Sequence, residues 1–392
     1  MFDLERAQAY MRESGIDAWL VYDFRGSNPV LWQILGYRKP TTRRCFLLIP
    51  RNEEPRLLVH VVDGEQFASA RFPVTMFVTY SEMQAWLRDS LVRCRQVAME
   101  YSPNGAIPIM SWVDGGTLDL VRSLGVEVIT SADLFQIAAA AWNTSALESH
   151  LSACNAANEV KDAAFDLIRQ AIRSGRALTE FDVQQFIVAE FANRCMETQD
   201  DALVAVNENS RNPHYWPSRE RSLPISLGDW VLIDLWCRVP GDENVFADIT
   251  WVGYVGHDVP PKFRAVFDIV KAARDLVVSR LREAWTRGEV LQGWQVDDIA
   301  RDYIAKAGYG RYFSHRTGHS LGPGSTLHAL GVNLDNLETH DTRGILPGIG
   351  FSVEPGIYLD EFGVRLEINV YVDPTEGPRV TTVQQDEIVL LA

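Results

Sequence analysis

Four acidic residues lie within apolar segments that have the pattern of β-strands. Asp234 follows the run Trp-Val-Leu-Ile, Asp248 opens the next apolar run, Glu354 follows Phe-Ser-Val, and Glu367 lies between a leucine and an isoleucine. One such acid could simply point outward from a strand into water. Burial of a carboxylate is costly unless a cation compensates its charge. Four acids in two similar stretches of sequence therefore favour a cluster that binds divalent cations such as manganese, cobalt or zinc.

These acids belong to two blocks of sequence that resemble each other. The first block reads GDWVLIDLW and then FADITWVGYVG, and the second reads GIGFSVEPGIY and then VRLEINVYV. In each block a glycine, Gly228 or Gly348, precedes the first acid by six positions. This weak internal duplication predicts a pseudo-two-fold antiparallel sheet in which carboxylates from both halves converge.

Histidines and one arginine are the other candidates for chemistry. His315, His319 and His328 fall within HRTGHSLGPGSTLH, whose glycines and proline oppose the regular helix that a zincin HExxH motif requires. His319 is therefore a candidate metal ligand outside a helix, and His214, in NPHYWP, is a further candidate that could equally be structural. Arg365 shares a strand face with Glu367, so it could hold that carboxylate, receive a substrate oxygen, or be a surface arginine.

The elements around these residues predict two domains. Strand-like runs alternate with helical patterns over residues 1–140, which is typical of an α/β domain, and no acid cluster is seen there. Residues 141–392 form the second domain. Ser145 and Glu148 predict a capping box for a long helix that Gly175 ends, and Thr179 and Asp182 predict another. Further helices are expected over residues 260–285 and before Gly308.

Composition excludes several classes of function. The chain has 392 residues, a net charge of −15 and five scattered cysteines without a CxxC pair. The negative charge argues against nucleic acid binding, and the absence of an apolar run of about 18 residues argues against a membrane span. The N-terminal sequence is not typical of a signal peptide, and the cysteines favour reduced thiols in the cytoplasm.

The motifs ADIT, HRTGHSLGPGSTLH, VEPGIY and GVRLEINV, in this order, resemble those of the pita-bread metallopeptidase family. This family includes methionine aminopeptidase, prolidase, Xaa-Pro aminopeptidase and creatinase. The resemblance covers the chain from about residue 150 to 392, and residues 1–140 more loosely resemble the creatinase-type N-terminal domain. It implies an α/β N-terminal domain followed by an α+β pita-bread catalytic domain. The nine-residue step from His319 to His328 is similar to that of the Xaa-Pro peptidase branch.

The resemblance implies a site with two divalent metal ions per chain. Its ligands would be Asp234 for one metal, His319 and Glu354 for the other, and Asp248 and Glu367 as bridges. A hydroxide between the metals would be the nucleophile, with Glu354 as general base. His315 and His328 would position the small peptide substrate and stabilise the tetrahedral intermediate, and His214 would shape the substrate pocket.

Four positions depart from the family's pattern. Trp236 replaces the glycine of Asp-x-Gly, and Trp251 replaces the arginine that follows the threonine. Ser320 replaces the glycine after the metal histidine, and Ala329 replaces the acid after His328. None of these changes removes an implied ligand, and we expect them to affect substrate size and specificity.

The expected activity is hydrolysis of Xaa-Pro bonds, as a dipeptidase or as an aminopeptidase, with manganese as the first choice of metal. Two alternatives remain open at this point: a creatinase-like C–N hydrolase, which the resemblance implies would be metal-free, and an inactive pita-bread scaffold that binds a partner. Resemblance to prolidases also implies a homodimer.

Overall fold

The computed structural model describes residues 2–324 and 326–392, so Ser325 of the histidine motif lies outside the described residues. The chain divides into two compact units, with the boundary between Ala141 and Trp142. Each unit is described separately.

The N-terminal unit is an α/β domain built on a six-stranded sheet. Its elements are α1 (Leu4–Ser14), β1 (Ala18–Phe24), α2 (Pro29–Leu35), β2 (Arg44–Pro50), β3 (Arg56–His60), β4 (Val74–Phe77), α3 (Tyr80–Leu91), β5 (Gln96–Met99), α4 (Gly115–Ser123), β6 (Glu127–Thr130) and α5 (Ala132–Phe135). The strand order is β4-β3-β2-β1-β5-β6. Strand β2 is antiparallel to both neighbours, and the other neighbouring strands are parallel.

Among its described residues, the C-terminal unit contains four α-helices and three small sheets. Its elements are α6 (Thr144–Ser174), α7 (Glu180–Asn193), β7 (Leu203–Val206), β8 (Trp230–Cys237), β9 (Ala247–Tyr254), α8 (Pro261–Thr286), α9 (Gly293–Lys306), β10 (Ser320–Leu321), β11 (Gly350–Val353), β12 (Gly356–Tyr358), β13 (Gly363–Arg365), β14 (Ile368–Asp373), β15 (Gly377–Val380) and β16 (Val389–Leu390). The sheet orders are β16-β9-β8-β7, β10-β11-β14-β15 and β12-β13.

Helix starts follow local capping chemistry, although one of them differs from the prediction. Thr179 and Asp182 form the predicted capping box of α7. The predicted box of Ser145 and Glu148 is wrong, because α6 begins one residue before Ser145 and is capped by Asn143, whose side chain accepts a hydrogen bond from the backbone of Ala146. Asparagine is as good a cap as serine, and its earlier position extends the helix.

The two predicted blocks each form an antiparallel strand pair. In the first, β8 pairs with β9 so that Asp234 lies opposite Thr250. In the second, β11 pairs with β14, and the β12–β13 hairpin is inserted between them. Strand β16 runs parallel to β9, so the first sheet is mixed rather than wholly antiparallel.

The two four-stranded sheets meet along β9 and β14. The backbone N–H of Glu367 donates to the carbonyl of Thr250 at 3.2 Å. The amide side chain of Asn369 bonds to both backbone groups of Asp248, at 2.9 and 2.7 Å. This seam places the acids of one block beside those of the other.

Helices cover the outer faces of these sheets. Residues of α6 and α7 pack in one core with Val231, Ile233 and Ile249. Residues of α8 and α9 pack in another with Leu232 and Phe351. Successive strand residues face opposite sides, so Asp234 lies on the face of Leu232. None of the described helices has both the length and the apolar character needed to cross a membrane.

Candidate active site

Strand ends, as well as strand centres, position the four acids. Asp234 and Asp248 lie within β8 and β9, as predicted. Glu354 follows the last residue of β11, and Glu367 precedes the first residue of β14. The expectation that these two lie inside strands is therefore wrong. Pro355 follows Glu354 and has no N–H group for a ladder, which ends regular pairing at this point.

Three carboxylates surround the imidazole of His319. Its Nε2 atom lies 3.2 Å from Asp248 Oδ2, 3.6 Å from Glu354 Oε1 and 4.0 Å from Glu367 Oε1. His319, Asp248 and Glu367 are all buried, and each offers one ligand atom within 4.8 Å of the others. These three side chains could therefore hold a metal ion.

Hydrogen bonds orient His319 toward the acids. Its Nδ1 atom lies 3.2 Å from the carbonyl of Ser320, so the Nδ1–H group donates there and the Nε2 lone pair faces the carboxylates. The backbone N–H of His319 donates to Ser352 Oγ at 2.9 Å, and this hydroxyl donates to Glu354 Oε1 at 3.1 Å. A lone pair surrounded by carboxylate oxygens is repelled unless a cation or a proton lies between them.

Two oxygen atoms of the cluster have no hydrogen-bond partner among the described residues. They are Asp248 Oδ1 and Glu367 Oε1, and both are buried. An unsatisfied buried polar atom costs about 1–3 kcal/mol, and a charged one costs more. The donor set of carboxylate oxygens and one imidazole nitrogen is suited to a divalent transition-metal ion. The residues present therefore fit such an ion.

The raised pKa values of the acids also indicate that the site suits a divalent cation. Burial raises the pKa of Asp234 to about 6 and that of Asp248 to about 7. Burial, followed by the charge of Asp248, raises the pKa of Glu367 well above its ordinary value, and burial also raises that of Glu354. Close carboxylates without enough positive charge hold protons more tightly, and a divalent cation would release those protons.

Arg365 pairs with Asp234 rather than with Glu367. Its guanidinium contacts Asp234 Oδ2, and its Nε donates to Thr250 Oγ1 at 2.9 Å. The interpretation that Arg365 holds Glu367 fails because β13 ends at Arg365 and the next two residues leave the strand. The arginine is buried, which also excludes the interpretation as a surface residue.

The other three candidate histidines line the cavity that also contains the acids. The Nδ1 atom of His315 lies 2.7 Å from the carbonyl of Arg316, and its Nε2 atom lies 2.7 Å from the Tyr358 hydroxyl. The ring of His328 lies 4.1 Å from that of His319, and Arg316 donates to its Nδ1 at 3.3 Å. His214 is exposed at the cavity wall.

The cavity has a volume of about 620 Å³. Its lining includes all five predicted metal ligands and the four candidate substrate residues, together with other side chains of this unit (Gln199, Asp200, Leu203, Pro213, Trp216, Trp236, Arg316, Thr326, Leu327 and Glu338). The cavity can therefore bring a small polar molecule into contact with the acids.

The four departures from the family pattern do not all line this cavity. Trp236 lines it and lies 6.4 Å from Trp216, ring centroid to centroid. Trp251, Ser320 and Ala329 are not among the lining residues. Trp251 follows Thr250 in β9 and so faces the opposite side, where the Lys161 ammonium lies 3.5 Å from its ring centroid. Of the four positions, Trp236 lines the cavity, and an effect of the other three on specificity stays a prediction.

The structure adds uncharged residues that the sequence analysis gave no role. Thr250, Ser352, Tyr358 and Asn369 each hydrogen-bond to a charged residue or a histidine of the site. Thr250, Tyr358 and Asn369 lie within the quoted motifs ADIT, VEPGIY and GVRLEINV, and this position is the signal that the sequence offers for them.

Comparison with known proteins identifies the family of the C-terminal unit. Residues 152–374 match the model of metallopeptidase family M24. An Xaa-Pro dipeptidase from Lactobacillus delbrueckii subsp. lactis is 29% identical over 229 residues, which are 56% of this chain and 55% of that protein. The match therefore spans little more than half of the relative's length.

Two further similarities extend along the whole chain. The Bacillus subtilis protein YkvY is 24% identical over 99% of both chains. The crystal structure of dipeptidase PepE from Mycobacterium ulcerans aligns with a TM-score of 0.71 at 20% identity, over 99% of this chain and 96% of that one. The structural similarity confirms the predicted fold class.

Proposed function

Because the chain belongs to metallopeptidase family M24, we propose that it is a metal-dependent peptidase that hydrolyses Xaa-Pro bonds, as a dipeptidase or as an aminopeptidase. The observation that carries this proposal is the buried group of Asp248, His319 and Glu367. Two of its carboxylate oxygens have no hydrogen-bond partner in the part of the chain that the structure describes. The name of the Lactobacillus relative supports the choice of Xaa-Pro substrates.

The proposed metal ligands are the two aspartates Asp234 and Asp248, the imidazole of His319, and the two glutamates Glu354 and Glu367. They would hold two divalent cations, and manganese, cobalt and zinc all suit this donor set. When bound, the cations would polarise the scissile carbonyl and lower the pKa of an attacking water molecule.

Glu354 is proposed to carry a proton from the attacking water to the departing nitrogen. Hydrolysis adds the water oxygen to the carbonyl carbon, and one water proton must reach the departing nitrogen before the C–N bond breaks. The Ser352 hydroxyl holds Glu354 Oε1 at 3.1 Å, which fixes the carboxylate at the edge of the cavity. Burial raises the pKa of Glu354, which favours proton acceptance, and bound cations would oppose this shift.

Substrate contacts are proposed for the residues beyond the acids. Because Arg316 donates to Nδ1 of His328, the Nε2 atom of His328 carries the proton and would donate to a substrate oxygen. His214 would shape the open side of the cavity. His315 and Arg365 would set its opposite wall, since both contact the Tyr358 hydroxyl, at 2.7 and 3.4 Å.

We also propose manganese as the working metal, a cytoplasmic location and a homodimer. The five cysteines are all free, which is consistent with a reducing compartment. Ultracentrifugation of the purified chain would test the dimer, and metal analysis after expression in manganese-supplemented cells would test the metal.

The decisive experiment combines metal content with turnover of an Xaa-Pro dipeptide and an Xaa-Pro tripeptide. We expect bound manganese, turnover that chelation abolishes, and loss of both in Asp248→Ala. The exposed Asp258→Ala is the matched control and should behave as wild type. Turnover that survives exhaustive chelation would favour the creatinase-like hydrolase, whereas a chain without metal or turnover would favour the scaffold.

A further inference from the structure

The N-terminal unit contains a second cavity, of about 1000 Å³. It lies where β1, β3 and β4 end and where β2 begins, and the first turns of α3 and α4 complete its wall. None of its lining residues belongs to the catalytic unit.

The topology of the sheet accounts for the position of this cavity. After β1 the chain adds β2, β3 and β4 on one side, and it then returns to place β5 and β6 on the other side. In open α/β sheets such a reversal opens a crevice at the carboxyl ends of the strands, and small ligands bind there.

Aromatic rings form much of the wall. They are contributed by Tyr22, Phe24, Phe77, Tyr80 and Trp112. His60 adds another ring, whose Nδ1 accepts the backbone N–H of Val62 at 3.2 Å and whose Nε2 bonds the carbonyl of Val78 at 3.1 Å. Since both nitrogens of His60 are used within the chain, this residue offers a flat surface rather than a polar contact.

The charge of the lining is opposite to that of the chain. Two arginines, Arg43 and Arg44, line the cavity, and Asp114 is the only acid among its described lining residues, in a chain of net charge −15. The Asp114 carboxylate caps α4 by accepting the N–H and hydroxyl of Thr117 at 2.9 and 2.7 Å. Its charge is therefore already engaged by the helix.

Arg44 is the residue that most requires a partner. It is half-buried, and its guanidinium makes no hydrogen bond or ion pair with any described residue. Arg43 is exposed; its backbone N–H donates to Asp63 Oδ2 at 2.8 Å, and among the described residues its guanidinium donates only to the carbonyl of Thr42, at 3.3 Å. Guanidinium groups bind carboxylates through paired, charge-assisted hydrogen bonds.

We propose that this cavity binds a small organic carboxylate with an aromatic group. The carboxylate would lie at Arg44 and Arg43, and the apolar part would pack against the rings of Phe77 and Trp112. Both the cations and the rings are needed, because neither a plain inorganic anion nor a neutral arene would satisfy the whole lining. This site does not depend on the proposed peptidase activity.

The test uses 2-naphthoate and its neutral analogue 2-naphthalenemethanol with the full-length, manganese-loaded protein. Binding is measured by calorimetry and by the indole N–H resonance of Trp112, assigned with Trp112→Phe. We expect saturable binding of naphthoate that shifts this resonance, and binding of the alcohol that is weaker by about tenfold or more.

Variants locate the binding. Arg44→Gln should weaken naphthoate binding by about tenfold or more, and Arg43→Gln, at an exposed position, should also weaken it. Arg93→Gln on the surface of the same unit and Arg316→Gln in the catalytic cavity should bind as wild type. The proposal is overturned if the Trp112 resonance does not move, if both arginine variants bind normally, or if only Arg316→Gln loses binding. Self-association through this face without naphthoate binding would assign the cavity to an interface instead.

Discussion

The Thr250 hydroxyl is the point at which three charged side chains of the site meet. It lies 3.0 Å from Asp234 Oδ1 and 2.9 Å from Glu367 Oε2, and it accepts from Arg365 Nε at 2.9 Å. A hydroxyl has one proton, so it donates to one acid at a time. It therefore sets the relative orientation of two proposed metal ligands, one within β8 and one directly before β14.

Replacing Thr250 by valine tests this role. Valine has nearly the same shape but cannot hydrogen-bond, so we expect the fold to persist and manganese affinity to fall by about 10–100-fold, as is typical for residues that orient metal ligands. Titration with manganese measures this change in affinity, with the free ion monitored by its electron paramagnetic resonance. Thr75→Val, on the exposed face of β4, is the matched control, and unchanged affinity in Thr250→Val would contradict the assignment.

Replacing Glu354 by glutamine tests the proposed proton carrier. The amide cannot accept the proton, so turnover of an Xaa-Pro dipeptide at saturating metal should fall by about 10²–10⁴-fold, which is the usual contribution of a general base. Far-ultraviolet circular dichroism should remain that of the wild type. Glu376→Gln, on an exposed turn, should keep full turnover, and comparable turnover in Glu354→Gln would remove Glu354 from the mechanism.

At this scale the sequence predicted charged residues better than neutral ones. Acids in apolar runs and clustered histidines are unusual, so Asp234, Asp248 and His319 could be selected by type and spacing. Thr250 and Ser352 have no such signal, because a threonine or serine in a strand is ordinary. Their importance arises from partners that are distant in sequence, and only the folded chain shows those partners.

Among the elements, β10 and β11 position His319 through a close approach of two backbones. A Cβ atom at Gly318 would lie 2.0 Å from the carbonyl oxygen of Ser352. Residue 318 must therefore be glycine, because any side chain would push the two segments apart. The close approach explains Gly318, whose residue type in the sequence indicates only that the histidine motif is not helical.

We expect Gly318→Ala to destabilise the C-terminal unit by about 1–3 kcal/mol and to weaken metal binding, because the displaced backbone carries His319 with it. Urea unfolding and manganese titration measure the two effects. Gly115→Ala is the matched control, since a Cβ there has nothing within 4 Å, and it should be neutral or slightly stabilising. A Gly318→Ala protein as stable as the control would show that β10 can shift without loss of stability.

Element types could be predicted from the sequence more readily than element ends. The apolar run before Asp234 predicted a strand, and Thr179 with Asp182 predicted the start of α7. The ends depended on competition between neighbours: Asn143 displaced Ser145 as a cap, and Pro355 ended pairing at Glu354. Such competition involves small energy differences, which patterns do not resolve.

At the scale of the whole molecule, the alternation of strands and helices predicted an α/β N-terminal unit but not its strand order. The order β4-β3-β2-β1-β5-β6 joins segments that are far apart in the chain, and their pairing is determined by packing rather than by local sequence. The same applies to the seam between β9 and β14, which brings together acids more than a hundred residues apart.

The core of the N-terminal unit contains a carboxyl group that should make its stability depend on pH. Glu100 is fully buried, and it accepts hydrogen bonds from Trp19 Nε1 at 2.6 Å, Asn28 Nδ2 at 2.9 Å and Ser131 Oγ at 3.0 Å. Burial raises its pKa from 4.5 to about 7, and these hydrogen bonds offset only part of that effect. The folded unit therefore keeps a proton that the unfolded chain releases.

This proton determines the sign of the pH dependence. Between the unfolded pKa of 4.5 and the folded pKa of about 7, the folded state binds more protons, so stability falls as pH rises, by up to about 3 kcal/mol in total. Glu100→Gln cannot titrate and should lose this slope, whereas the exposed Glu54→Gln should keep it. The measurement is urea unfolding between pH 4.5 and 8. It is monitored through the fluorine resonance of 5-fluorotryptophan at position 19, which reports on this unit alone. Equal slopes in wild type and Glu100→Gln would show that the buried carboxyl is ionised throughout, with its three hydrogen bonds sufficient to stabilise the charge.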